Sequence, residues 1–115
     1  MKRPAVALIE ELRSEAEGAV VAGMIVRFET STLFLTLQDA DPAASLDAMA
    51  QNGGTPVGLY RVTRSTAHPK GLDFSVRPLQ EVADEPGIGD FFLTIAELIL
   101  EMVLKEISGR NQGTS

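Results

Sequence analysis

The residues best suited to chemistry are five basic side chains between positions 61 and 77. They are Arg61, Arg64, His68, Lys70 and Arg77, and Asp73 is the only acidic residue in that stretch. Guanidinium groups present planar hydrogen-bond donors that match phosphate and carboxylate oxygens. The pattern therefore predicts a positive surface for an anionic ligand, a nucleic-acid phosphate or an acidic partner. The competing interpretation is an edge hairpin whose charges oppose sheet-to-sheet aggregation.

His68 is also the one imidazole that could activate a nucleophile. Ser65 and Thr66 lie close to it in sequence, but catalysis needs a hydroxyl, an imidazole and an orienting carboxylate in one geometry. Neighbours within one loop seldom reach that geometry, and the sequence has no nucleophile elbow of the Gly-x-Ser-x-Gly type. We therefore interpret His68 as an exposed loop residue, predict no catalytic residues and expect that the protein is not an enzyme.

Two further patterns resemble ligand sites but favour helix capping. Asp39 and Asp41 are spaced like paired ligands of a divalent cation, yet the glycine that a calcium loop requires is missing. Gly87 and Gly89 precede a helix as in a phosphate-binding loop, but Asp90 follows them and would repel phosphate. We interpret Asp41 and Asp90 as helix caps and predict no metal and no cofactor.

Composition narrows the chemistry further. The 115 residues include no cysteine, which excludes disulfides, thiolate metal sites and cysteine nucleophiles. Ten lysine and arginine residues against sixteen acidic residues give a net charge of −6, which opposes nucleic-acid wrapping or attachment to an anionic membrane. The longest apolar tract, residues 91–104, contains two glutamates and is shorter than a membrane span of roughly 20 residues. We expect a cytoplasmic protein with one domain over residues 1–109 and a frayed polar tail over 110–115.

The helices and strands that position these residues can be predicted from the spacing of apolar residues and from the glycine and proline residues that end regular structure. A helix is predicted over residues 4–17, where Pro4 suits the first turn and apolar residues recur at three and four residue steps. Residues 19–28 are apolar on both faces, which is typical of a central strand covered on both sides. Residues 33–38 alternate in polarity and predict the strand that completes a first hairpin.

The second half of the chain repeats this succession of elements. A short helix follows Asp41, and strands over 57–63 and 72–76 form a second hairpin. Asp90 begins a long last helix that ends at Ser108, before Gly109. The order α-β-β-α-β-β-α predicts an α+β fold, with an antiparallel sheet of two hairpins covered by helices on one face.

The last helix is apolar over most of its circumference. Its polar residues Thr94, Glu97, Glu101 and Lys105 form one narrow stripe, hereafter the polar stripe. One short chain leaves part of the apolar arc uncovered, so we predict a homodimer through this helix. The predicted contact residues are Phe91, Phe92, Ile95, Leu98, Ile99, Met102 and Val103. The alternatives are burial between the other two helices of the same copy and a groove that receives another protein.

These features predict a small soluble interaction or regulatory module, such as an accessory factor, an inhibitor or a chaperone-like protein. The expected partners are a second copy of the chain and another protein, without a membrane. The alternative function is an anion-binding or nucleic-acid-binding protein that uses the basic second hairpin.

Overall fold

The structure is a computed structural model that describes residues 4–37, 40–67 and 71–112, with side chains described up to residue 106. Its elements are α1 (Ala5–Glu15), β1 (Val21–Arg27), β2 (Thr32–Thr36), α2 (Pro42–Gln51), β3 (Thr55–Arg64), β4 (Leu72–Pro78) and α3 (Ile88–Gln112). The predicted element order and the α+β fold, with both hairpins in one antiparallel sheet, are confirmed.

The four strands are arranged in the order β2-β1-β3-β4, so the two hairpins join through β1 and β3. The central position predicted for β1 is confirmed, and its five middle residues are all buried. This burial explains why the strand is apolar on both faces, since each face lies against other parts of the protein. The edges of the sheet are β2 and β4.

The helices lie on both faces of the sheet. Arg77 is the register partner of Leu59, and its side chain reaches Glu11 of α1, which places α1 on the Leu59 face. Gly58, the adjacent residue of β3, faces Phe92 of α3. Because successive strand residues point to opposite faces, α1 and α3 cover different faces, and α2 packs beside α1. The expectation that all helices cover one face is therefore wrong, because both faces of β1 and β3 carry apolar side chains that need cover.

Local sequence explains where α2 begins. The Asp41 carboxylate accepts a hydrogen bond from the Ala44 amide at 3.2 Å, so the predicted cap is confirmed. Pro42 occupies the first turn, where its missing amide hydrogen has no partner to lose.

The bounds of α3 differ from the prediction at both ends. The helix begins at Ile88, so Asp90 lies within its first turn instead of capping it. Gly87 precedes it with a φ of 80°, a left-handed conformation that glycine adopts without strain. The helix continues to Gln112, past the predicted end at Ser108, and residues 113–115 of the predicted tail lie outside the described residues. Within the described part of the chain, no helix combines the length and apolar character needed to cross a bilayer.

Two glycines allow aromatic side chains to lie directly on the α3 face of the sheet. A Cβ atom at Gly58 would lie 2.9 Å from the ring of Phe92. A Cβ atom at Gly23 would lie 2.5 Å from the hydroxyl oxygen of Tyr60 and 2.4 Å from the carbonyl oxygen of Leu35. These distances are too short for any side chain, so the two glycines let α3 and the Tyr60 ring approach the backbone of the sheet.

Candidate functional site

Arg77 of the predicted anion site is already engaged within the protein. Its Nε donates a hydrogen bond to Glu15 at 2.9 Å, and its Nη2 donates to Glu11 at 3.1 Å. The two glutamates stand four residues apart on α1 and therefore share one face of that helix. Arg77 thus links β4 to α1, and its charge is balanced by two carboxylates.

Of the other described residues of the predicted anion site, Arg61 shares the α1 face with Arg77, and Arg64 does not. Arg61 points to the α1 face, where its Nη2 donates to the backbone carbonyl of Glu17 at 3.4 Å. Arg64 lies at the exposed end of β3, an odd number of residues away, and so points to the opposite face. His68 and Lys70 lie outside the described residues. The anion-binding function stays a prediction.

A further arginine, which no motif singles out, fixes the start of α3. Arg27 at the end of β1 lies 2.7 Å from the Glu85 carboxylate, and its guanidinium carbon lies 5.6 Å from the centre of the Phe91 ring. A cation above an aromatic face is electrostatically favourable. Phe91, one of the predicted dimer contacts, is consequently half-buried.

Four of the seven predicted contact residues belong to the core of a single copy. They are Phe92, Ile95, Ile99 and Val103, with exposed fractions of 5, 5, 2 and 6%. Their spacing of three and four residues places them on the face of α3 that packs against the sheet. The surface available to a partner is therefore restricted to the two sides of the helix.

The first of these sides, the β2-side flank, comprises Phe91, Leu98 and Met102. Leu98 and Met102 are 51% and 55% exposed. Met102 lines a cleft together with Thr36 of β2, and Phe91 lies beneath Arg27 of β1. This flank therefore overhangs the half of the sheet that β1 and β2 form.

The second side, the β4-side flank, comprises Leu93, Ala96, Leu100 and Leu104. Leu93 is 70% exposed, and the other three side chains are half-buried. The flank lies on the side of α3 away from Met102, and α3 packs against the edge strand β4. Leu93 lies within an almost continuous apolar run, so its residue type does not distinguish it from its buried neighbours. The local indication of this flank in the sequence is the seven-residue spacing between Leu93 and Leu100.

The cleft beside the β2-side flank has a volume of about 290 Å³. Its walls come from the end of α1, the start of β1, the end of β2 and α3, and Tyr60 of β3 forms part of the lining. The Tyr60 ring meets Phe34 edge-on at 6.3 Å and stacks on Phe74 at 6.1 Å. Burial raises the pKa of Tyr60 to about 12. The phenol is therefore neutral over the physiological pH range.

The described residues contain no group of three histidine, aspartate or glutamate side chains that could hold a metal ion. Comparisons with protein-family models, with curated proteins and with solved structures find no match.

Proposed function

We propose that the protein is a small, non-enzymatic interaction module that forms a homodimer through the β4-side flank of α3. The observation that carries this proposal is the exposure of Leu93, 70% of whose surface is open to solvent in one copy. Leu93, Ala96, Leu100 and Leu104 follow one another at steps of three, four and four residues, as in a helix that packs along another helix.

A second copy fits the β4-side flank because of where the sheet ends. The axes of two packed helices lie about 8–10 Å apart. The sheet of a second copy lies beneath its own α3, so that sheet must fit beside the sheet of the first copy. On the other side, β1 and β2 extend beyond α3 and would overlap that second sheet. On the β4 side the sheet stops at its edge strand, so two sheets can lie side by side beneath two helices.

Because both sheets lie beneath the paired helices, the twofold axis runs perpendicular to the sheets, and the two α3 helices pair antiparallel. An isologous contact uses the same flank on both copies, so Leu93 of one copy lies near the C-terminal part of the flank on the other. The two helix dipoles then oppose each other, which is electrostatically favourable. The polar stripe stays in contact with water, because all four of its residues are exposed and lie beside the flank.

The test compares the same substitution at three exposed apolar residues. Leu93→Glu places a charge in the proposed contact, whereas Leu98→Glu alters the other flank of α3 and Val6→Glu alters α1. Sedimentation equilibrium over a range of concentrations should show a dimer for the unmodified protein and for the two controls. Leu93→Glu should be monomeric.

Circular dichroism of all three variants checks that the fold is retained. An unmodified protein that stays monomeric at high concentration contradicts the proposed function. Dissociation by Leu98→Glu, with Leu93→Glu still dimeric, would move the interface to the β2-side flank. The proposed dimer leaves that flank and its cleft open.

A further inference from the structure

We propose that the cleft beside the β2-side flank binds a compact, uncharged, apolar molecule that carries one carbonyl oxygen, and that the Tyr60 hydroxyl donates a hydrogen bond to this oxygen. The cleft lies between α3 and the α3 face of the sheet, at the level of Val21 and Thr36. It is separate from the β4-side flank, so this site goes beyond the proposed dimer.

The position of the Tyr60 hydroxyl follows from the strand register. Tyr60, Gly23 and Thr36 are register partners in adjacent strands, so they form one row on the same face of the sheet. Because Gly23 has no side chain, the Tyr60 ring extends across β1, and its hydroxyl oxygen lies 2.5 Å from the place a Cβ would occupy. The hydroxyl therefore points toward Thr36 and the cleft.

The Tyr60 hydroxyl has no hydrogen-bond acceptor among the residues that the structure describes. The residue is only 3% exposed, and none of its hydrogen-bonding groups finds a side-chain partner among the described residues. Among the described residues, no fully buried side-chain oxygen or nitrogen lacks a hydrogen-bond partner. Because the Tyr60 hydroxyl has no such partner, it is not fully buried, and it opens into the cleft that Tyr60 lines. A largely buried donor is stabilised when an acceptor arrives. A neutral phenol, with its pKa raised to about 12, remains a donor across the physiological range.

The size and lining of the cleft define the class of ligand. Its volume of about 290 Å³ lies just below the range of typical small-molecule sites, which is roughly 300–1,000 Å³, so the ligand must be compact. Most of the described lining side chains are small or aliphatic, among them Ala16, Ala19, Val21 and Ile99. Glu106 is the one acidic lining residue among those described, and it disfavours an anion. An anion would also lose its hydration without gaining a partner charge, and a cation would have to displace the interaction that Glu106 already makes.

Acetophenone and ethylbenzene are matched probes for this site, because they have similar shapes and differ by the carbonyl oxygen. We expect each probe, titrated into the full chain, to shift the amide NMR signals of residues 16–22, 36–37 and 99–106 in a saturable manner. Acetophenone should bind more tightly than ethylbenzene. Tyr60→Phe keeps the ring and removes the donor, and it should weaken acetophenone binding about two- to tenfold while leaving ethylbenzene binding unchanged.

Ala19→Leu is the second variant, because it fills the cleft without altering Tyr60. It should abolish binding of both probes while the amide spectrum stays that of the folded protein. Unsaturable or scattered shifts in the unmodified protein would overturn the proposal, as would acetophenone binding no tighter than ethylbenzene. Equal acetophenone affinity in a folded Tyr60→Phe variant would also overturn it. Should Tyr60→Phe not fold, the probe comparison and Ala19→Leu still decide the outcome.

Discussion

Tyr60 is buried, packs against Phe34 and Phe74, and lines the cleft proposed as a ligand site. It is the only tyrosine in a chain without tryptophan, so its ionisation can be followed directly by absorbance. Burial raises its pKa to about 12, whereas an unfolded tyrosine ionises near pH 10. The folded state thus favours the protonated phenol, and the stability that this contributes is complete below pH 10 and lost as the pH rises through 12.

We predict that the tyrosinate absorbance of the folded protein titrates with a midpoint near pH 12. The free energy of unfolding should fall by about 2–3 kcal/mol between pH 10 and pH 12 on account of this group alone. Urea unfolding at several pH values measures the loss, and Tyr60→Phe shows how much comes from other groups. A midpoint near pH 10 in the folded protein would show that the phenol is accessible to water.

The close packing around Gly23 leads to a second prediction at the scale of one residue, which concerns the stability of the fold. A methyl group there would meet the Tyr60 ring and the Leu35 carbonyl oxygen, so we expect Gly23→Ala to lower the free energy of unfolding by roughly 1–3 kcal/mol. Gly89→Ala is the matched control, because nothing lies within 4 Å of its Cβ position in the first turn of α3. That variant should be neutral or slightly more stable. Chemical denaturation measures both, and an unaffected Gly23→Ala protein would mean that the ring shifts at little cost.

At the scale of elements, Arg77 joins α1 to β4 through Glu11 and Glu15. The arginine side chain is 50% exposed, so solvent screens these ion pairs. We predict that Arg77→Ala lowers the free energy of unfolding by at most about 1 kcal/mol. Arg64→Ala, at the exposed end of β3, should cost less. A loss of several kcal/mol for Arg77→Ala would show that α1 depends on this link for docking.

The order of the elements could be predicted because its signals are local. Asp41 with Pro42 begins α2, and the two-sided apolar pattern of residues 19–28 indicates a central strand. The assignment of helices to faces could not be predicted, because it depends on contacts between distant residues such as Gly58 and Phe92. The same limit applies to the contact surface of α3, since periodicity alone cannot tell which apolar side of a helix meets the sheet.

The candidate site shows this limit most clearly. The positive patch inferred from charge spacing includes Arg77, whose partners lie on a helix more than sixty residues earlier in the chain. Tyr60 has no distinctive neighbours in sequence, and its role depends on a glycine in another strand. Cross-strand register and long-range ion pairs decide which polar groups are free, and neither leaves a local pattern.

At the scale of the whole molecule, the net charge sets how association responds to salt. Two copies carry −6 each, and the principal extents of one copy are 48 × 32 × 28 Å. At a separation of about 30 Å in water, two such charges repel by about 5 kcal/mol before screening. A Debye length of about 30 Å at 0.01 M salt leaves roughly a third of this repulsion, and one of about 10 Å at 0.1 M leaves almost none.

We therefore predict that the dimer tightens about tenfold between about 0.01 M and about 0.1 M sodium chloride. Sedimentation equilibrium at both concentrations measures the change, and a neutral osmolyte at matched osmolality controls for general exclusion effects. Anion binding by the basic hairpin would respond in the opposite direction, because salt competes with the ligand. Dimerisation that weakens as salt rises would mean that pairs of opposite charge hold the copies together, in place of the apolar β4-side flank.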